Sequence, residues 1–148
     1  MSNLIWGTYT WILFHSIAEN IKESQFKSQR DTLVSFIKQI CENLPCPTCK
    51  QHSAPYVKQI EKVKTKEDLR QFLFYFHNEV NKRKNTRIHD YSELSKYQNV
   101  NLNTVVNSWS TVFGKRTNNS MFMTDAMHRK NIISQVNKYF ANNLHHFN

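Results

Sequence analysis

The pair Cys46-Pro47-Thr48-Cys49 is the part of the sequence whose residue types and spacing could do chemistry most directly. Two thiols at this spacing can close a small disulfide ring and exchange electrons with another dithiol through a mixed disulfide. The pair follows one predicted helix and begins the next, so unpaired backbone N–H groups and the helix dipole favour a thiolate at Cys46. We therefore expect Cys46 to have a lowered pKa and to meet the partner, and Cys49 to be the more shielded, resolving thiol.

The same segment offers a possible zinc set of three thiolates and an imidazole: Cys41, Cys46, Cys49 and His52. All four residues lie in one short segment, whereas structural zinc sites usually join two separate ligand pairs. Because Cys41 falls inside a helical stripe of apolar residues, a buried and unreactive thiol is the simpler interpretation. A thioredoxin-like fold also uses a CPxC pair, but it requires flanking strands that the sequence does not indicate. We therefore predict a redox pair and no metal site.

Two clusters of aromatic, imidazole and amide side chains could hold the flavin that a dithiol needs to pass electrons to oxygen. Trp11 and His15 lie one turn apart on the first predicted helix. The second cluster lies on the fourth predicted helix: His77, Asn78, Val80 and Asn81. Flat rings can stack on a flavin or an adenine, and amides can bind ring edges. Taken singly, each residue is most simply a core or surface side chain, and only the combination favours a cofactor site.

Three motifs follow one another in an order that makes a specific signature. They are Gly7-x-x-x-Trp11-x-x-x-His15, then Cys46-Pro47-Thr48-Cys49, then His77-Asn78-Glu79-Val80-Asn81. The combination resembles the FAD-dependent sulfhydryl oxidases of the Erv/ALR family, over about residues 6 to 97. The chain has no second CxxC pair, and in this it is similar to the compact members that large cytoplasmic DNA viruses encode.

The resemblance implies a helical bundle that holds FAD at its mouth, with Cys49 next to the flavin and Cys46 exchanging with the substrate. The residues implied at the flavin end are Gly7, Thr8, Trp11 and His15. The residues implied at the adenosine end are His77, Asn78, Val80 and Asn81. Thr86 stands where many family members carry a lysine. We therefore expect Arg83 and Arg87, from the basic run after the motif, to contact the pyrophosphate.

The implied reaction converts two protein thiols and molecular oxygen into a disulfide and hydrogen peroxide. Because the chain carries no shuttle pair, we expect the protein dithiol substrate to be a small thioredoxin-like redox carrier. The resemblance also implies a homodimer. The uncharged start of the chain is interrupted by polar residues, so we expect neither a signal peptide nor a transmembrane segment. This favours a cytoplasmic location, in the host cytoplasm or the virion if the protein is viral.

Apolar residues at helical spacing predict the elements that must position these groups. The stripes run through residues 11 to 21, 33 to 44, 47 to 60, 69 to 80, 102 to 113 and 132 to 140. Thr65 and Asp68 have the spacing of a capping box, Gly114 can end a helix, and residues 115 to 120 are predicted as a loop. The predicted fold class is all-α: a four-helix bundle binding FAD, a short fifth helix and a C-terminal helical extension. We assign residues 1–100 to the oxidase-like domain and residues 101–148 to the extension.

The composition excludes several other classes of protein. With 148 residues, 39% of them hydrophobic, the chain can form one domain with a core. Two glycines and three prolines are too few for the turns of a β-sandwich or for a glycine-rich dinucleotide loop. The net charge of +9 leaves one alternative function, a zinc-stabilised basic helical module that binds nucleic acid. The basic residues are spread over several segments rather than gathered on one helix, so we disfavour it.

Overall fold

The structure is a computed structural model that describes residues 2–115 and 123–148. It contains the α-helices α1 (Ser2–Asn20), α2 (Glu23–Glu42), α3 (Pro47–Gln59), α4 (Lys66–Arg83), α5 (Leu102–Phe113) and α6 (Met123–Asn143). Short 3-10 helices span Ile60–Lys62, Tyr91–Tyr97 and Leu144–His146. Within the described ranges the only β-type pairing is one isolated bridge between Ile21 and Phe147. The predicted all-α fold class is confirmed.

Helix α1 is the central element of the fold. It packs against α4, against α5 and against the 3-10 helix Tyr91–Tyr97. All residues from 13 to 21 are buried, including the polar His15, Ser16, Glu19 and Asn20, because other elements surround this part of the helix. Helix α2 packs against α3 and α6, and α5 packs against α6. The functional motifs on α1, α3 and α4 are therefore held around one common core.

The starts of α3 and α4 are fixed by the local chemistry that the sequence predicts. Pro47 occupies the first turn of α3, where its missing N–H leaves no partner unsatisfied. At the start of α4 the Thr65 hydroxyl accepts a hydrogen bond from the Asp68 N–H at 3.0 Å, and the Asp68 carboxylate accepts one from the Thr65 N–H at 3.1 Å. The predicted capping box is thus confirmed, and it sets the register of the helix that carries His77.

The segment from Lys84 to Val100 crosses from α4 back to α1, and we call it the strap. Asn78 ties its middle, because the amide donates to the His89 carbonyl at 3.0 Å and accepts from the His89 N–H at 2.9 Å. Asn20 ties its end in the same way, through the Tyr97 carbonyl at 2.7 Å and the Asn99 N–H at 3.0 Å. The strap is therefore fastened to the helices that carry the predicted cofactor residues.

The helices after the strap belong to the same buried cluster as the bundle. Trp109 and Phe113 of α5 and Phe140 of α6 are almost fully buried in it. The end of the chain returns to the α1–α2 junction, where the Asn148 N–H donates to the Asn20 carbonyl at 2.7 Å. Gly114 follows α5 as predicted, and beyond Lys115 the predicted loop lies outside the described residues. No helix in the described part of the chain is long and apolar enough to cross a membrane.

Candidate active site

Cys46 and Cys49 form a disulfide at the start of α3, and their Cα atoms are 5.2 Å apart. Cys46 is the residue that caps the helix, and its Sγ accepts a hydrogen bond from the Cys49 N–H at 3.2 Å. Both cysteines are half-buried, while Pro47 and Thr48 between them are exposed. A sulfur at this position receives the N–H group and the positive end of the helix dipole, which stabilise a thiolate when the disulfide opens.

A cavity of about 320 Å³ lies against the disulfide, and we call it the inner cavity. Its wall is mostly apolar and aromatic, with contributions from Trp11, Phe14 and Phe76. Cys46 and Cys49 line it directly. The polar residues that line it include His52, Ser53, Arg83 and Lys84. The reactive disulfide therefore faces a space that could hold a flat apolar ring.

A second cavity, of about 580 Å³, continues along α1 and α4 under the strap, and we call it the outer cavity. Four residues line both cavities: Gly7, Trp11, Val80 and Lys84. A Cβ atom built on Gly7 would meet no atom within 4 Å, so the backbone of α1 is open at this point. Lys84 and Lys96 bring positive charge to the outer cavity. One elongated molecule could occupy both spaces.

Stacked rings form the floor between α1, α4 and the strap. Trp11 stacks on His77 with ring centroids 4.2 Å apart and an angle of 9° between the planes. His15 Nε2 lies 3.0 Å from His77 Nδ1, a hydrogen bond in which one ring donates to the other. The Tyr97 ring stacks on His15 at 4.9 Å. These contacts hold the Trp11 and His77 rings in fixed planes at the cavity wall.

Both histidines of this stack are neutral at ordinary pH. The pKa of His15 is lowered to about 3, mainly by burial and also by the neighbouring His77, His89 and Lys96. The pKa of His77 is likewise lowered to about 3, mainly by burial and also by His89 and Lys96. A neutral imidazole presents an uncharged face to a stacked ring. The two histidines therefore form an uncharged surface on which a flat ring can stack, and not a positively charged site.

The structure gathers most of the residues that the sequence singles out for the cofactor. The ones that line the inner or the outer cavity are Gly7, Thr8, Trp11, Cys49, His77, Val80, Asn81 and Arg83. His15 lies behind His77 and contacts neither the inner nor the outer cavity, and Asn78 uses both ends of its amide on the strap. Arg87 pairs instead with Glu93 at 2.8 Å and with His89 at 2.9 Å. Its predicted contact with a pyrophosphate stays a prediction.

Several residues of the strap that the sequence analysis did not select line the outer cavity, among them His89, Lys96 and Tyr97. Lys96 and Tyr97 are placed there by the 3-10 helix Tyr91–Tyr97, which was not predicted. A local signal for it exists, because Asp90 and Glu93 have the spacing of a capping box, and the Asp90 N–H donates to the Glu93 carboxylate at 2.8 Å. Recognising that start would have predicted a helical turn bearing Lys96 and Tyr97.

The third cysteine, Cys41, is buried in α2 and lines the inner cavity. Burial raises the pKa of its thiol to about 12, so the reactive thiolate form is suppressed. This agrees with the interpretation of an unreactive core thiol. Among the described residues, no group of three or more histidine, cysteine, aspartate or glutamate side chains could hold a metal ion.

Comparison with known proteins gives a consistent result. The family model described as the Erv1 / Alr family matches residues 8–100. An FAD-linked sulfhydryl oxidase of African swine fever virus is 30% identical over 118 residues, which are 74% of this chain and 99% of that relative. A putative FAD-linked sulfhydryl oxidase of Invertebrate iridescent virus 6 is 33% identical over 87 residues, which are 53% of this chain and 78% of that relative. No solved structure matches the chain significantly.

Proposed function

The chain belongs to the Erv1 / Alr family, and from this premise we propose that it oxidises protein dithiols to disulfides through Cys46 and Cys49. It is an FAD-linked thiol oxidase. The proposal adds the route of the electrons, which pass from a client dithiol to the cysteine pair, then to FAD, and finally to oxygen. The observation that carries it is the disulfide on the wall of the inner cavity, next to a second cavity with basic residues.

The residues around the two cavities fit FAD. The apolar inner cavity suits the isoalloxazine ring, since burying flat apolar surface beside Trp11 and Phe76 is favourable. The outer cavity offers the His77 ring for the adenine and the Asn81 amide for a ring edge. Lys84 and Lys96 supply charge that could neutralise a pyrophosphate. We propose this placement in preference to Arg87, which pairs with Glu93.

The cysteine pair performs the thiol–disulfide exchange. A client thiolate attacks Cys46 Sγ, the Cys46–Cys49 bond breaks, and Cys49 leaves as a thiolate. The second client thiolate then attacks the client sulfur of the mixed disulfide and releases Cys46 as a thiolate. The client is thereby oxidised by two electrons and the pair is reduced by two. The half-buried position of Cys49 on the inner cavity keeps it next to the proposed flavin ring.

When bound, FAD supplies the redox chemistry that accepts two electrons from a dithiol and passes them to oxygen. The balanced overall reaction is then two thiols plus oxygen to one disulfide plus hydrogen peroxide. The chain contributes the apolar wall that shields the cofactor. It also contributes the neutral His15–His77 pair, which holds the Trp11 ring in its plane at the cavity wall. Val80, which lines both cavities, contributes to the same shielding.

The partners and setting of the reaction form the remaining part of the proposal. The dithiol client that reacts with Cys46 is a small thioredoxin-like redox carrier, because the chain has three cysteines and a single CxxC pair. We also propose a homodimer and a place of action in the host cytoplasm or the virion. The division of the chain into an oxidase-like domain at 1–100 and an extension at 101–148 is likewise proposed. No finding supports the alternative of a zinc-stabilised module that binds nucleic acid.

Single cysteine variants test the roles of the pair. Purified protein should show a flavin spectrum that bleaches with dithiothreitol and recovers while oxygen is consumed. Cys49→Ser should retain FAD and lose oxygen uptake, whereas Cys46→Ser should retain FAD and show a long-wavelength absorption band from the freed Cys49 thiolate. Cys41→Ala is the matched control and should keep turnover, since its thiol is unreactive. Oxygen uptake at the wild-type rate in Cys46→Ser or Cys49→Ser would contradict these roles.

A further inference from the structure

A third cavity, of about 430 Å³, lies between α2 and α3, and we call it the α2–α3 groove. Cys41 of α2 and Ser53 of α3 line both this groove and the inner cavity, so these two residues separate the groove from the proposed flavin site. Its lining includes the apolar Ala54 and Val57 together with charged side chains. None of the roles proposed above for the redox pair or the cofactor uses this groove.

The groove begins at the first turn of α3, beside the reactive disulfide. Lys50 follows Cys49 directly, and its N–H donates to the Cys46 carbonyl at 3.0 Å. Lys50 and Lys58 both line the groove and are exposed. A chain lying in the groove would therefore pass next to the sulfur that a client has to reach.

The charges of this region favour an acidic partner. Residues 43 to 60 contain two lysines and one histidine but no aspartate or glutamate. At the far end of the groove Lys38 pairs with Glu61 at 2.6 Å. Among the described residues Lys50 and Lys58 form no ion pair, and Glu42 is the one carboxylate of the groove that forms none. The segment that carries the disulfide thus presents positive charge, to which the N-terminus of α3 adds its dipole.

We propose that the α2–α3 groove binds an acidic, extended segment of the dithiol client next to its reactive cysteine. This inference rests on the function proposed above. Lys50 and Lys58 are eight residues apart on one helix, which is about 12 Å at 1.5 Å per residue. An extended chain covers this distance in about four residues. The groove therefore fits a segment with two carboxylates about four residues apart, over an apolar residue that faces Val57.

Binding in the groove would act on the exchange step through proximity and charge. A docked segment holds the client thiolate close to Cys46, which raises its effective concentration there. The complementary charges raise the association rate, and added salt weakens this effect. The exchange itself is unchanged: the bond to Cys46 Sγ forms, the Cys46–Cys49 bond breaks and Cys49 receives the electron pair.

The test uses the FAD-loaded full chain and three dithiol peptides that share one CxxC sequence. In the peptides the flanking segment carries two glutamates, two glutamines or two lysines at a spacing of four residues. Oxygen uptake should give a kcat/KM for the glutamate peptide that is roughly tenfold above that of the glutamine peptide at low salt. Lys50→Glu/Lys58→Glu should remove this preference and favour the lysine peptide. The matched control Lys27→Glu/Lys130→Glu makes the same change in net charge at exposed residues that do not line the groove.

Two further readings separate a failure of the docking from a failure of the oxidase. Dithiothreitol needs no docking, so its turnover should be equal in wild type and in both double variants. If wild type showed no turnover of dithiothreitol, that result would contradict the proposed function alone. Fluorescence anisotropy with peptides whose cysteines are replaced by serine measures binding without turnover. Equal binding of the glutamate and glutamine peptides, or a similar loss of binding in the control variant, would overturn the α2–α3 groove as the docking site.

Discussion

Gly7 has no side chain, and it therefore leaves space next to the backbone of α1 where both cavities meet. Gly7→Leu is expected to lower the affinity for FAD by roughly tenfold or more, because the added side chain takes up space that the cofactor needs. The FAD-free protein should gain about 0.5–1 kcal/mol, since glycine within a helix is destabilising. Titration with FAD and thermal unfolding of the FAD-free protein would measure the two effects.

Gly114→Ala is the matched control for this substitution. A Cβ atom at Gly114 would lie 3.1 Å from Ile133 Cδ1 and 3.2 Å from the Ser110 carbonyl oxygen. This variant should therefore lower the Tm while the affinity for FAD stays unchanged. Wild-type affinity for FAD in Gly7→Leu would show that the cofactor does not pass this point of α1.

The buried histidine pair makes stability depend on pH at the residue scale. The pKa values of His15 and His77 are about 3 in the folded chain, below the value of about 6.5 expected when unfolded. The unfolded state therefore binds more protons, and stability should fall as the pH is lowered from about 6.5 towards about 3. His15→Gln should flatten the decrease of Tm over this range. The control His128→Gln changes an exposed histidine on α6 and should leave the decrease of Tm unchanged. An unchanged slope in His15→Gln would contradict the neutral pair.

At the scale of elements, the strap is held in place by Asn78. Asn78→Ala removes both hydrogen bonds to the His89 backbone and should cost about 1–3 kcal/mol in the free energy of unfolding. Because the strap carries Lys96 and Tyr97 over the outer cavity, FAD should also dissociate faster. Hydrogen exchange over residues 84 to 100 and the rate of FAD loss would measure these changes.

Asn137→Ala serves as the control for the strap. Asn137 donates to the Ser110 hydroxyl at 2.9 Å and to the Ile133 carbonyl at 2.8 Å, and so links α6 to α5 away from the two cavities. It should reduce stability and leave the rate of FAD loss unchanged. Equal rates of FAD loss in both asparagine variants would mean that the strap does not cover the cofactor.

The elements also show which parts of the fold the sequence could predict. The helices and the capping box at Thr65 and Asp68 follow from local periodicity and chemistry, so the sequence predicts them. The strap depends on Asn20 and Asn78, whose partners lie 77 and 11 residues away along the chain. Side chains that bond to distant backbone leave no periodic signal, so this segment was predicted only as basic and polar.

On the scale of the whole molecule, the packing of α5 against α1 was not predictable from the sequence. An amphipathic stripe shows that α5 has a buried face but not which element covers it. The net charge of +9 is likewise a property whose distribution only the structure gives. Among the described residues, five lysine and arginine side chains form ion pairs: Arg30, Lys38, Arg70, Lys82 and Arg87. The cations left around the active site are those proposed to meet FAD and the client.

The route from dithiol to flavin is tested most directly by an anaerobic titration of the FAD-loaded protein with a dithiol. We expect wild type to oxidise two equivalents of the dithiol, because the Cys46–Cys49 disulfide and FAD each take two electrons. Cys46→Ser/Cys49→Ser should retain FAD, and its flavin absorbance should persist in the same dithiol. Bleaching of the flavin in this double variant at the wild-type rate would contradict the passage of electrons through the cysteine pair.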